Sequence, residues 1–437
     1  MQQEDFNRGL CDFIGAAVTP FHAVSRMLED LQSAGYTVLA EDEPWQLEQG
    51  QGYVVQRNGS SLIAFTTGAG DGPVGGMRMV GAHTDSPCLM VKPEPDIVRQ
   101  GYLQLGVQVY GGALLNPWFD RDLSLAGRVS YRDPSGGLRT ALVDFREPLA
   151  VIPSLAIHLD REANKNRSVN PQTDMTPLLA RVAASGGDAP GLRDILRERV
   201  LIEHPRAEVE EILDFELSFY DSQAPGIVGL KQEFIAAARL DNLLSCYTAM
   251  QALLASDGSQ ASLLICNDHE EVGSLSASGA QGPFLRSTLE RIAGGSEALA
   301  HMVDRSMMIS ADNAHGVHPN YADKHDEQHG PLLNEGPVIK VNASQRYATN
   351  SETAGLFRLL AAQEGVPVQS FVVRADMACG STIGPITAGA TGIRTLDIGV
   401  PTFAMHSIRE LAGSADACNL GKVLRRFYDR PGPMFGS

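Results

Sequence analysis

At 437 residues the chain exceeds the roughly 250–300 residues at which a single hydrophobic core stops growing, so more than one domain is expected. A hydrophobic fraction of 43% with 44 Gly and 24 Pro is that of an ordinary globular chain. The net charge of −17 excludes nucleic acid as a partner class, because no basic stripe is available to neutralise phosphates.

No apolar run reaches the roughly 20 residues of a membrane helix, so no membrane partner is expected. The N-terminus "MQQEDFNRGL" has neither the basic start nor the apolar core of a signal peptide. A cytoplasmic location follows as the expectation. Cys11, Cys88, Cys246, Cys266, Cys379 and Cys418 are scattered with no C-x-x-C pair, the pattern of buried free thiols rather than a disulfide framework.

In chain order, helical periodicity comes first, in "FNRGLCDFIGAAV" and in "FHAVSRMLEDLQSAG", which closes on a glycine. The apolar run "MRMVGAHTD" reads as a strand that delivers His83 and Asp85 into a loop. Residues 93–232 differ in texture. "YLQLGVQVYGGALLNPWFDRDLSLAGRVSYRD" alternates like an antiparallel meander, "DREANKNRSVNPQTD" reads as a loop, and "ASGGDAPG" as a Gly/Pro break. The alternation of short apolar runs and helices then resumes. "AAARLDN" places Asp241 at the start of the helix "NLLSCYTAMQALLAS"; "ASLLICNDHEE" delivers Glu270 and Glu271; "SMMISADNAHG" delivers Asp312. The helix "SETAGLFRLLAAQEG" follows, then "IRTLDIGVPTFAMHS" with His406, and finally the helix "DACNLGKVLRRFYDR". This pattern predicts an α/β fold, a mostly parallel sheet with helices on both faces, in a discontinuous domain of residues 1–92 and 233–437. A β-rich domain, residues 93–232, would be inserted into it.

Ligand sites of open α/β sheets lie outside the carboxyl ends of the strands, so groups spread over 300 residues could converge there. The set holds two histidines, several carboxylates and no cysteine, which suits catalytic zinc, manganese or cobalt rather than a closed structural zinc. Two metals sharing one bridging carboxylate need about five protein ligands, and His83, Asp241, Glu271, Asp312 and His406 supply them. Glu270 is left as a general base. His83 and Asp85, two apart on one strand, would share a face, which suits a carboxylate orienting a metal-bound imidazole. Singly, each group has a plainer explanation: a strand-end Asp is commonly a cap or turn former, and adjacent glutamates are commonly a solvated edge. Five such accidents together are improbable.

"GAHTDSP", "ARLDN", "DHEEVGS", "SADNAHGVHPNY", "GPVIKVN", "RYATN", "CGSTIGP" and "AMHSIRE" resemble, in order, the successive motifs of the M18 aminopeptidases, the aspartyl aminopeptidase family. The resemblance spans essentially the whole chain, and it holds at His83, Asp85, Asp241, Glu270, Glu271, Asp312 and His406. It implies a first metal held by His83, Asp241 and Asp312 and a second by Asp241, Glu271 and His406, with Asp241 bridging, Asp85 supporting His83 and Glu270 as base. It implies two divalent ions per subunit, zinc foremost, and removal of single N-terminal residues from peptide substrates. It also implies a tetrahedral homododecamer built from dimers, in which the inserted domain serves oligomerisation.

The resemblance gives His318 and Asn320, in the histidine-rich "HGVHPNYADKHDEQH", a place near the site. It gives His158 of "LAIHLDR" a role in the active site of a neighbouring subunit. Lys340, which interrupts the apolar "GPVIKVN", would meet the carboxylate of an N-terminal Asp or Glu, with Tyr347 lining the same pocket. By pattern alone, Lys340 is an outward-facing lysine on an amphipathic strand and His158 a packed or surface histidine. Cys379 in "ADMACGSTIGPI" has no base at recognisable spacing, so a pocket-lining loop is expected rather than a nucleophile. Neither a P-loop nor G-x-G-x-x-G after a strand is present. The alternatives are a relative preferring neutral N-terminal residues, another co-catalytic metal hydrolase, and a non-catalytic assembly protein with a vestigial metal site. The intact Glu270 argues against the last, since holding metal requires no base.

Overall fold

A computed structural model describes residues 2–182 and 190–435. Most of the "ASGGDAPG" break lies outside the described residues. The chain divides into two compact units, the first formed by residues 1–85, 225–405 and 410–437, the second by residues 86–224 and 406–409.

Among the described residues of the first unit, nine strands form one sheet. Their order is Thr37–Val38, Gly52–Arg57, Ser61–Thr66, Ser262–Asn267, Arg78–His83, Met307–Ala311, Arg394–Gly399, Val338–Lys340 and Gln369–Phe371. The four central strands run parallel to one another. Gly52–Arg57, Ser61–Thr66 and Val338–Lys340 make antiparallel pairings, so the sheet is mixed rather than purely parallel.

Three of the central strands, Ser262–Asn267, Arg78–His83 and Met307–Ala311, are buried along their whole length, and their alternating residues feed two cores. Val80, Ala82, Leu264, Cys266 and Ile309 join one core, with side chains from the helices Gln3–Ala16, Pro20–Ser33, Leu240–Leu254, Ser351–Gln363 and Asp416–Tyr428. Met79, Leu263, Ile265 and Met308 point the other way, toward Phe284, Leu289 and Ile383 of the helices Phe284–Ala293 and Ile383–Thr391. That two-sided burial explains why these strands read as continuous apolar runs. Register then levels their ends: Asn267 pairs with His83, Ser310 with Gly81, and Ala311 with Ile398. A second, five-stranded sheet in this unit joins Gly226–Val228, Phe234–Ala237, Glu410–Gly413, Pro401–Phe403 and Ala314–His315.

Among its described residues the second unit carries a six-stranded antiparallel sheet, in the order Leu138–Asp144, Leu123–Arg132, Glu211–Asp221, Cys88–Arg99, Tyr102–Tyr110 and Leu178–Arg181. The meander expectation is corrected here. Tyr102–Tyr110 and Leu123–Arg132 do not pair, because Cys88–Arg99 and the late strand Glu211–Asp221 lie between them. The helix Leu192–Glu203, which the sequence reading left out, packs Leu192, Leu196 and Val200 into this unit's core.

Candidate metal centre

His83 closes its strand and is 1% exposed. Its Nδ1 faces the Asp85 carbonyl at 3.0 Å and Asp85 Oδ1 at 3.4 Å, so the ring is oriented with Nε2 toward the other strand ends. There Nε2 lies 3.5 Å from Asp241 Oδ1, 3.9 Å from Asp312 Oδ1 and 4.0 Å from Glu270 Oε2. Candidate ligand atoms of His83, Asp241 and Asp312 all lie within 4.8 Å of one another, as do those of His83, Glu270 and Glu271.

Each carboxylate is aimed by local backbone. Asp241 follows the strand Phe234–Ala237 and a left-handed Arg239 whose guanidinium donates to the carbonyls of Ile14 and Ala17. With φ −84 and ψ 105, Asp241 is not yet helical. Its N–H donates to Glu410 Oε2 at 2.9 Å, and the Asn242 amide donates to the Ala311 carbonyl at 2.8 Å, tying the helix start to the end of the strand Met307–Ala311. Asp312 follows that strand directly, and its N–H donates to the Ile398 carbonyl.

Glu270 and Glu271 open a single helical turn, Glu270–Val272, entered through His269 at φ 64. Asp85 holds this turn as well: Oδ1 accepts the Glu270 N–H and Oδ2 the Glu271 N–H, each at 3.1 Å. One buried carboxylate therefore orients a histidine and fixes two glutamates. The sequence pointed to its contact with His83 only.

This arrangement concentrates negative charge in a buried space. Burial pushes Glu270 up to about 8; His83 pulls it down, while Asp312, Glu271 and Asp85 add to the rise. For His83 burial favours the neutral ring, yet hydrogen bonds to Asp241, Asp312 and Asp85 and the charge of Glu270 hold it well above its ordinary value. Lys340 adds one cation, its Nζ 3.6 Å from Asp312 Oδ2. One imidazole and one ammonium do not balance the five carboxylates Asp85, Asp241, Glu270, Glu271 and Asp312. An all-oxygen-and-nitrogen donor set with surplus buried charge fits divalent cations.

Lys340 is 3% exposed, so the plain pattern reading of an outward-facing lysine is corrected. The strand Val338–Lys340 has neighbours on both sides and all three of its residues are buried. Lys340 Nζ lies 5.5 Å from the centre of the Tyr347 ring. Tyr347 lines a cavity of about 410 Å³ together with His315, His318, His325, Phe371, Cys379 and Phe403, among others. His318 caps the short helix Pro319–Lys324 by accepting the Asn320 N–H. His158 lies exposed in the second unit. His406 belongs to the segment 406–409 grouped with that unit, where its Nδ1 stands 3.2 Å from the Gly112 carbonyl. Glu410, 3% exposed, escaped the sequence reading as a separate residue; its signal was an acidic side chain inside the strand-like "IRELAG".

A family model described as Aminopeptidase I zinc metalloprotease (M18) matches residues 13–428. The chain belongs to the M18 family of metallo-aminopeptidases. A probable M18 family aminopeptidase 2 of Ectopseudomonas mendocina is 59% identical over 98% of this chain and 99% of its own length. Its counterpart in Azotobacter vinelandii is 58% identical, over 98% and 99%. Among solved structures, a cryo-EM structure of an Ape4 and Nbr1 complex superposes with a TM-score of 0.94 at 39% identity, over 98% of this chain and 86% of that one. The crystal structure of yeast aminopeptidase 1 gives a TM-score of 0.84 at 30% identity, over 98% and 97%. A related yeast structure is described as a dodecamer.

Proposed function

We propose that this M18 aminopeptidase is a dinuclear enzyme that removes N-terminal Asp or Glu residues from peptides, with Glu270 as general base. The observation that supports it is the convergence of His83, Asp241, Asp312, Glu270 and Glu271 at level strand ends, held by Asp85 and Glu410. His83, Asp241 and Asp312 would hold one ion, and Asp241, Glu271 and His406 the other. Zinc agrees with the family's description, and manganese or cobalt would fit the same donors. Such ions supply Lewis acidity toward the scissile carbonyl and lower the pKa of water.

The chain's own contribution is proton handling and recognition. Glu270 accepts a proton from the attacking water and returns it to the leaving amine nitrogen. Lys340, behind Tyr347, pairs with the carboxylate of an acidic first residue. A neutral side chain there leaves the ammonium with no new partner, which is how a polar pocket discriminates. His318 and Tyr347 line the adjoining cavity. By family resemblance, we assign the second unit to self-association in a tetrahedral dodecamer, with His158 serving a neighbour's site, and place the enzyme in the cytoplasm.

A second reading, preference for neutral N-terminal residues, draws on Lys340 already facing Asp312 and on the apolar share of the cavity wall, including Phe371, Val373, Met377 and Phe403. The deciding assay compares Asp-, Glu- and Leu- chromogenic amides, before and after chelation and with each metal restored. Chelator-insensitive cleavage, or no cleavage of any amide, would sink the metallo-aminopeptidase mechanism. Lys340→Leu should slow the acidic amides selectively; an equal loss on all three removes its role in recognition. Glu270→Gln should keep its metals and lose turnover.

A further inference from the structure

We infer that His269 is a positioning residue for Glu270: its ring locks the turn that carries the base to the end of the sheet. The inference rests on the assignment of Glu270 as base. On its entry side that turn is held by Asp85, through the N–H groups of Glu270 and Glu271. On its exit side the chain passes through exposed Val272 and Gly273 and a left-handed Ser274.

His269 bridges the two sides. Its carbonyl accepts the Ser274 N–H at 2.7 Å, and its Nδ1 lies 2.9 Å from Ser276 Oγ and 3.4 Å from Ser278 Oγ. Ser276 Oγ accepts the Gly279 N–H at 2.9 Å and still has a hydroxyl proton that it can donate to Nδ1. In that tautomer the ring carries its proton on Nε2, which lies 3.6 Å from Asp268 Oδ2. Asp268 is itself fixed: its N–H donates to Ser61 Oγ, and its Oδ1 accepts the His269 N–H, both at 2.8 Å. Ser278 closes the circuit, its carbonyl accepting from Ser61 Oγ at 2.8 Å and from Asn267 Nδ2 at 3.2 Å. Ser61 and Asn267 belong to two neighbouring strands of the main sheet. A continuous path thus runs from the sheet through Ser278 and His269 to the residue next in sequence, Glu270. Without the ring, the exit segment keeps its backbone bonds to the turn, from the Ser274 N–H to the His269 carbonyl and from the Gly273 N–H to the Glu270 carbonyl. It loses the side-chain tie through Ser276 and Ser278, and the reach of Glu270 toward the reacting water loosens, where small misplacements are costly.

The test is a set of metal-loaded full-length variants, assayed on an Asp chromogenic amide with metal content and melting temperature measured alongside. His269→Ala should lower kcat about tenfold or more, with KM within about twofold and metal content and melting temperature unchanged. His269→Asn, which offers an acceptor oxygen near the Nδ1 position, should recover most of that loss, and Ser276→Ala should reproduce part of it. In a Glu270→Gln background His269→Ala should cost less than about twofold, because the group it positions is gone. Four results would overturn the inference: wild-type kcat in His269→Ala, an equal loss in both backgrounds, no recovery by Asn, or loss of metal and stability together with kcat. Wild-type turnover in Glu270→Gln alone would instead sink the base assignment on which the inference rests.

Discussion

Asp85→Asn tests the densest piece of engineering in the site. The wild-type carboxylate accepts two backbone N–H groups at 3.1 Å and stands 3.4 Å from His83 Nδ1. An amide keeps one acceptor oxygen and turns an NH2 group toward the second N–H, so one hydrogen bond to a charged acceptor is lost. Such bonds contribute roughly 1.5–3 kcal/mol each. If about 2 kcal/mol falls on the placement of Glu270 and Glu271, kcat drops about thirtyfold. Loss of the carboxylate behind His83 should also weaken metal binding by roughly 10–100-fold. Turnover of an Asp chromogenic amide under saturating zinc isolates the first effect, and chelator titration followed by metal analysis reads the second. A variant with kcat within twofold of wild type and unchanged chelator resistance would refute the reasoning, because it would show that neither the glutamate turn nor His83 depends on this carboxylate.

Three further perturbations test the scaffold around the site. Arg78, 2% exposed, donates to the carbonyls of Gly76, Arg430 and Gly432; Arg78→Met should destabilise by about 3 kcal/mol, read by urea unfolding, with proteolysis exposing the C-terminal segment first. At Gly399 an added Cβ would stand 2.0 Å from the Asp312 carbonyl oxygen, so Gly399→Ala must displace the segment carrying a proposed ligand, costing roughly 1–3 kcal/mol and lowering metal retention in dialysed protein. Burial pushes Asp416 up to about 6, above its unfolded value near 3.9. The folded state therefore binds this proton more tightly, and the associated stability, about 3 kcal/mol, is present below about pH 4 and lost as pH rises through about 6. Urea midpoints of wild type and Asp416→Asn should accordingly differ more in favour of wild type at pH 4 than at pH 7, and parallel pH profiles would contradict this.

The sequence by itself determined the parts of this protein that depend on local pattern. Continuous apolar runs such as "MRMVGA" and "ASLLIC" announced strands buried on both faces, and 3.6-residue periodicity announced the five helices of one core, because burial imposes those periods directly on the chain, whereas Phe284–Ala293 and Ile383–Thr391 on the other face went unread. The residues standing just past those strands were legible for the same reason, since a parallel sheet presents its strand ends together. Tertiary structure decided what depends on pairing between distant segments. The strand Glu211–Asp221 enters the second sheet from far along the chain and separates two strands that looked like hairpin partners. Lys340 is buried because its three-residue strand happens to lie between two others, which no alternation over three residues can reveal. Above all, register levelled His83 with Asn267, so that Asp85 could reach the backbone of Glu270 and Glu271. The sequence supplied the ligands and the acid crowding of "DHEE"; only the folded sheet supplied the fixed distances that make the crowd a site, because those distances are set by hydrogen-bond register between strands nearly two hundred residues apart.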